Sequence, residues 1–126
     1  MIWAMALPFF AAGLAPDREP GAPWVRFSGP GKQPVYLDPG SLHEEGGEKV
    51  VRLLDTAETA ATRDVWIDIS FKCETRRAWI IRLTVVEGGK AGEVTSFAEA
   101  DRNPMKLDDP FGQRLLGFVC EGKPLA

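Results

Sequence analysis

Hydrophobic and polar residues alternate through the middle of the chain with the two-residue period of a β-strand. From 65 to 73 every second side chain is apolar, so this strand is predicted to bury one face. After a polar turn at 74–77, the run 78–86 alternates again. The predicted faces are Val65, Ile67, Ile69, Phe71 and Cys73 on the first strand and Trp79, Ile81, Leu83 and Val85 on the second. These two runs predict the central hairpin of an antiparallel sheet.

Shorter segments with strand character flank this hairpin. They lie at 24–28, 34–38, 48–56 and 93–98, separated by turns rich in glycine and proline. The second of them is predicted to end at Pro39-Gly40, where Asp38 and Ser41 would accept hydrogen bonds from the backbone of the turn. Together with the hairpin, these segments predict a sheet of about five to six strands.

The last regular element is predicted to be a helix. Asp109 precedes Pro110 in the order that favours a helix start, and Gly122 is placed to end it. Its apolar stripe consists of Phe111, Leu115, Phe118 and Val119. Gly112 and Gly117 each weaken the helix interior by about 1 kcal/mol, so the helix needs packing against the sheet. Antiparallel strands followed by one helix predict an α+β fold, with the helix across one face of the sheet.

The two cysteines of the chain both fall on predicted apolar surfaces. Cys73 ends the apolar face of the first central strand, and Cys120 flanks the apolar stripe of the helix. Packing the helix on this strand face would bring the two sulfurs together. A disulfide between them would stabilise the fold by about 4 kcal/mol in the chain-entropy model. The alternative is a pair of buried free thiols.

An apolar segment without charge at the N-terminus predicts export. Residues 1–13 end in the small residues Ala11-Ala12-Gly13 and resemble a secretory signal peptide that is cleaved after Gly13. The segment is too short to cross a bilayer, which takes about 20 residues. The usual positive charge ahead of it is missing, so a start upstream of Met1 stays open. The alternative to a signal peptide is an ordinary buried N-terminal helix. The remaining chain is predicted to be a Pro/Gly-rich linker at 14–23 and a single domain at 24–126, in the periplasm or secreted.

Composition argues against a nucleic-acid partner. The chain has 26% charged residues and a net charge of −3, with its lysines and arginines scattered. Its pI is near 5.2, whereas nucleic-acid-binding domains usually have a basic face and a pI above about 9. The predicted partner is a macromolecule other than a nucleic acid, and a protein is one candidate.

The sequence contains few of the residues that build catalytic, metal or cofactor sites. His43 is the only histidine, and it stands in a glutamate-rich turn. A solvated surface residue is one interpretation of it, and a small enzyme built around it is the other. The carboxylate pairs Glu44/Glu45 and Asp108/Asp109 suit turns and helix caps better than acid–base chemistry. We therefore expect no catalytic residue, no bound metal and no cofactor.

Candidate binding residues come from the central hairpin. Either Arg76, Arg77 and Arg82 form a small basic patch on the outer face of the sheet, or they are separate surface arginines. Trp66 and Trp79 are predicted to stand on opposite faces, so that one of them is available to a partner. A second small core beneath the loops is the alternative for these tryptophans.

The order of these signals resembles the surface-adhesin protein E-like family of Gram-negative bacteria. The matching segments are Val35-Tyr36-Leu37-Asp38 with Pro39-Gly40-Ser41-Leu42, the strand 50–55, Cys73-Glu74-Thr75-Arg76-Arg77, and the helix ending in Val119-Cys120. The resemblance implies an exported, disulfide-bonded sheet-and-helix domain without enzymatic activity that binds another macromolecule at the cell envelope. A structural envelope protein is the alternative. The chain departs from the family in having no cysteine that could accept an N-terminal lipid.

Overall fold

The computed structural model describes residues 20–27, 34–56 and 63–125 of the chain. Within these ranges, six antiparallel strands form one sheet in which each strand pairs with its neighbours in sequence. The strands are β1 (Val25–Arg26), β2 (Val35–Glu45), β3 (Glu48–Thr56), β4 (Arg63–Lys72), β5 (Arg77–Glu87) and β6 (Lys90–Ser96). A 3-10 turn (Glu99–Asp101) and the helix α1 (Pro110–Glu121) follow. The predicted α+β fold is confirmed, whereas the predicted signal peptide at 1–13 lies outside the described residues.

One hydrophobic core fills the space between the sheet and α1. The helix contributes Leu115, Leu116 and Val119, and the sheet contributes Leu37, Val51, Leu53, Ile69 and Phe71. Each of these side chains is at most 3% exposed, so the helix covers this face closely. The predicted disulfide is also confirmed, because Cys73 and Cys120 are bonded across 47 residues of sequence. It joins the end of β4 to the last turn of α1.

The ends of α1 follow the sequence signals. Asp109 accepts a hydrogen bond from the backbone N–H of Gly112 at 2.7 Å, and Gly122 ends the helix at a φ of 70°. Gly112 also has a packing role, since a Cβ at this position would lie 2.4 Å from the Cα of Leu107. The residue that weakens the helix therefore lets the preceding segment pass directly over its first turn.

Strand β2 is longer than predicted. It does not end at Pro39-Gly40 but continues to Glu45, with an irregularity in its pairing to β3 between Asp38 and His43. Proline is tolerated here because β1 is only two residues long and leaves this part of β2 on an open edge. The hydrogen bond from the Gly40 N–H to Asp38 Oδ1, at 3.0 Å, stabilises the irregularity within the strand.

A β-bulge corrects the faces predicted for β5. Asp68 pairs with Arg82 but Ile69 pairs with Ile80, so Ile81 is the extra residue. The residues of β5 that share the helix-facing side are Ala78, Ile80, Leu83 and Val85, opposite Phe71, Ile69, Ile67 and Val65. The predicted common face of Trp79, Ile81, Leu83 and Val85 is therefore wrong.

The same bulge corrects the orientation predicted for the two tryptophans. Trp79 pairs with Ser70, which alternates with Asp68 and Trp66 on the face of the sheet away from α1. Trp66 and Trp79 thus lie on one face, which we call the outer face, and both are half-buried there.

Candidate functional site

A groove opens where the β4–β5 turn meets the beginning of α1 and the segment that precedes it. We call it the hairpin–helix groove; its volume is about 470 Å³. The lining residues that matter for its chemistry are Arg76, Arg77, Met105, Lys106, Leu107 and Leu116. The groove thus combines cationic and apolar side chains in a single concave surface.

Several contacts hold the walls of the groove in place. The backbone N–H of Met105 donates to the carbonyl oxygen of Ala78 at 2.9 Å, next to an antiparallel bridge between Trp79 and Pro104. The side-chain amide of Gln113 donates to the carbonyl oxygen of Leu107 at 2.6 Å. The disulfide ties the β4–β5 turn to α1. The segment 104–107, which has no regular structure of its own, is therefore fixed against both β5 and the helix.

The floor of the groove is apolar. Leu107 and Leu116 are 8% and 2% exposed and belong to the hydrophobic core beneath. Met105 is half-buried and packs against the same core. A ligand in the groove would therefore contact the edge of the protein core and could bury apolar surface of its own.

The rim of the groove carries unpaired positive charge. Arg77 and Lys106 are exposed, and neither side chain has a hydrogen-bonding or ionic partner among the described residues. Arg77 also lies directly opposite Lys72, another exposed cation, in the register of the β4–β5 hairpin. Like charges in such positions weaken strand pairing. This end of the hairpin therefore carries neighbouring like charges, which cost a small amount of stability.

Arg76 occupies a special backbone position beside this rim. Its φ is 55°, in the left-handed region that costs a residue with a side chain of the order of 1 kcal/mol. Its guanidinium donates to Glu121 on α1 at 3.1 Å, and both side chains are partly exposed. Arg76 thus links the turn to the helix, and its charge is matched by that of Glu121.

A second charged cluster lies on the outer face of the sheet. We call it the outer-face network; it consists of His43, Glu45, Arg52, Asp68 and Arg82. Arg52 donates two hydrogen bonds to Asp68, at 2.8 and 3.1 Å, and Arg82 donates a third at 2.9 Å. Arg82 also donates to both carboxylate oxygens of Glu45, at 3.3 and 2.8 Å. Each arginine of the network is therefore matched by a carboxylate of the same chain.

The pKa values of the carboxylates follow from these contacts. Burial alone would raise the pKa of Asp68, whose side chain is only 4% exposed, but the hydrogen bonds from Arg52 and Arg82 outweigh burial and lower it. The hydrogen bonds from Arg82 and then from His43 lower the pKa of Glu45 to about 2. Both carboxyl groups are ionised at neutral pH.

His43 is tied into the network through both ring nitrogens. Nδ1 contacts the carbonyl oxygen of Ser41 and Nε2 contacts a carboxylate oxygen of Glu45, each at 2.7 Å. Because both partners are acceptors, both nitrogens must donate, which favours the imidazolium. The hydrogen bond to Ser41 and then that to Glu45 raise the pKa of His43.

The contacts of His43 leave its ring poorly suited to act as a general base. A ring whose two nitrogens both donate has no lone pair with which to accept a proton. The hydroxyl of Ser41 is engaged away from the ring: it donates to the carbonyl oxygen of Asp38 at 2.7 Å and accepts from the N–H of Arg52 at 2.8 Å. Among the described residues, no cluster of three or more His, Cys, Asp and Glu side chains is arranged to hold a metal ion.

The structure divides the predicted binding residues between these two places. Arg76 and Arg77 line the hairpin–helix groove, whereas Arg82 belongs to the outer-face network. Arg77 and Arg82 are five positions apart on β5, or about 17 Å along the strand. The three arginines therefore do not form a single basic patch.

Trp66 lies with the outer-face network. The guanidinium of Arg52 stands 4.6 Å from the centre of its ring, in a cation–π contact. The sequence gives no signal for Lys106, which contributes to the groove only because the bridge at Pro104 carries its segment back to the start of β5.

Comparisons of this chain with protein-family models, curated proteins and solved structures return no match. In the part of the chain that the structure describes, no helix combines the length and apolar character needed to cross a membrane. The case for a function therefore depends on the geometry of the two charged regions.

Proposed function

We propose that this chain is an exported domain without enzymatic activity that binds another macromolecule at the bacterial envelope through the hairpin–helix groove. The observation that carries this proposal is the pair of unpartnered cations, Arg77 and Lys106, above the apolar floor of the groove. Polar anchoring groups around an apolar depression are the usual composition of a binding site.

The rigidity of the groove supports the same proposal. Its walls are held by the disulfide, by the Met105 N–H bond and by the Gln113 amide bond described above. A preformed site loses less conformational entropy on binding, so more of the contact energy appears as affinity. The backbone strain at Arg76 falls at the same place, which agrees with the tendency of strained residues to cluster at functional sites.

The disulfide supports the exported location. Such bonds form and persist in the periplasm and outside the cell and are rare in reducing compartments. Cys73 and Cys120 are bonded to each other, and no free cysteine is found among the described residues. The proposed location and adhesin-like role agree with the resemblance to the surface-adhesin protein E-like family.

Site-specific photo-cross-linking in cells tests this function. A cross-linking amino acid replaces Asp108, an exposed residue lining the groove, or Lys90, the exposed first residue of β6, which pairs with the far end of β5. We expect an envelope adduct from position 108 that is absent from position 90. It should also disappear in the Arg77→Glu variant and persist in Lys90→Glu.

Each charge reversal replaces an exposed cation whose side chain has no hydrogen-bonding or ionic partner among the described residues, although Lys90 lies opposite Glu87 in the strand register whereas Arg77 lies opposite Lys72. Equal adducts from both positions, or an adduct indifferent to Arg77→Glu, would contradict binding through the groove. A full-length mass for protein recovered from the cytosol would contradict export.

A further inference from the structure

We infer that the hairpin–helix groove binds an acidic peptide segment of its partner, with carboxylates on the rim and an apolar side chain on the floor. This inference rests on the function proposed above and specifies the chemistry of the ligand. It follows from the charges, the floor and one further lining residue, Asp108.

The cations select for carboxylates. Arg77 presents a planar guanidinium that can hold a carboxylate through two parallel hydrogen bonds, and Lys106 supplies a second, more mobile charge. Both side chains are available to bind a carboxylate because neither has a hydrogen-bonding or ionic partner among the described residues. Arg76 is already bound to Glu121, so its charge is matched within the chain and its role is to fix the turn against the helix.

The floor selects for a ligand with apolar side chains. Leu107 and Leu116 expose only small parts of the core, and Met105 adds a flexible, polarisable side chain beside them. Sulfated polysaccharides and phosphate groups carry no aliphatic side chain to cover this surface. A peptide with a leucine or a similar residue next to its acidic residues satisfies both the rim and the floor.

Asp108 distinguishes a peptide from a uniform polyanion. This exposed carboxylate lines the groove without a partner among the described residues. It repels a ligand that is anionic along its whole length, but it can accept a hydrogen bond from a peptide N–H. A groove with two unpaired cations and one unpaired carboxylate therefore fits a chain that alternates acidic groups with hydrogen-bond donors.

Fluorescence anisotropy with the disulfide-intact protein as recovered from the cell envelope tests the ligand chemistry. The probe is a labelled, end-blocked peptide of alternating glutamate and leucine, and its control replaces each glutamate with glutamine. We expect the glutamine peptide to bind at least tenfold more weakly, a difference of about 1.4 kcal/mol. Arg77→Glu should lower the affinity for the glutamate peptide at least tenfold, while Lys90→Glu should leave this affinity unchanged within twofold.

Competing ligands give the outcomes that would overturn this inference. Binding of heparin or of phosphatidylglycerol vesicles more tightly than the peptide, with the same loss in Arg77→Glu, would assign the groove to a sulfated polysaccharide or to a lipid surface. Equal binding of the glutamate and glutamine peptides would remove the role of the carboxylates. If no peptide binds but the envelope adduct still depends on Arg77, the ligand chemistry is wrong and the proposed function stands; if the adduct does not depend on Arg77, the proposed function itself fails.

Discussion

The outer-face network and the hairpin–helix groove use the same kinds of charged side chain in opposite ways. In the network, Asp68 accepts three hydrogen bonds from two arginines, and Glu45 engages the second of these arginines as well. In the groove, Arg77 and Lys106 have no partner within the described ranges. Charges that are satisfied within the chain can stabilise its fold, whereas charges left without a partner are available to another molecule.

Loss of the disulfide should give the largest loss of stability and should affect the groove more than the network. Cys73→Ser removes a bond that closes a 47-residue separation, and we expect the free energy of unfolding to fall by about 4 kcal/mol. The bond joins α1 to the turn beside the groove, so hydrogen exchange should quicken first in α1 and in the groove and only later at the strands of the network. Equal exchange rates in both regions would contradict this separation.

Thiol titration provides the control for that experiment. The denatured, unreduced wild-type chain should contain no reactive thiol, and reduction should produce two. Two thiols before reduction would show that the cysteines are unpaired in the isolated protein. The stability of such a protein should then not respond to reductant.

Removal of the Asp68 carboxylate should cause the next largest loss in the free energy of unfolding. Asp68→Ala leaves Arg52 and Arg82 without their shared carboxylate, and loss of one partner from a buried ion pair costs about 3–5 kcal/mol. We expect about 3 kcal/mol, because both arginine side chains keep contact with water at 35% and 30% exposure. Urea denaturation measures the loss. The control Asp108→Ala, in the groove, should stay within about 0.5 kcal/mol of wild type.

Elements with local signals were predictable from the sequence. Strand β3 has the predicted bounds of Glu48 to Thr56, and the cap at Asp109 and the stop at Gly122 delimit α1. The disulfide followed from two apolar faces that each end in a cysteine. In each case, the responsible residues lie within or beside the element that they specify.

The bulge in β5 and the groove were not predictable, for different reasons. Ile80 and Ile81 are both apolar, so the alternation in this strand fits either phase, and only pairing with Asp68 and Ile69 selects one. The groove requires segment 104–107 to return to the start of β5, a contact between positions far apart in sequence. Periodicity reports which side of its own strand a residue occupies and carries no information about such contacts.

The pH dependence of stability should come from the network. Because the pKa of His43 is raised above its usual 6.5, the protonated ring stabilises the fold fully below pH 6.5, and this contribution is lost as the pH rises through the folded-state pKa. The ring is half exposed, so the contribution should be below about 1 kcal/mol. Urea midpoints between pH 5.5 and 8.5 should decrease in wild type and change less in His43→Gln; identical slopes would contradict the role of the ring.

At acidic pH, Glu45 should make stability increase with pH, the opposite of the effect of His43. Its folded-state pKa of about 2 lies below the usual 4.5, so its contribution is present above pH 4.5 and is lost as the pH falls towards 2. The Glu45→Gln variant should lose part of this acid dependence and should also lower the pKa of His43, because one of the two acceptors of the ring becomes neutral. A histidine titration followed by NMR measures that shift. An unchanged pKa would show that the Ser41 carbonyl alone sets the protonation of the ring.

The smallest expected change in stability gives the sharpest test of the comparison. Arg77→Glu removes a cation that has no partner among the described residues and places a carboxylate opposite Lys72, so we expect a gain of about 0.2–1 kcal/mol in the free energy of unfolding. The same variant should lose ligand binding in the groove. If the Arg77 side chain stabilised the fold, its replacement would instead lower the free energy of unfolding. Urea denaturation of Arg77→Glu beside Arg77→Ala measures the effect, and a loss of more than 1 kcal/mol in both variants would show that Arg77 stabilises the fold and is not reserved for a partner.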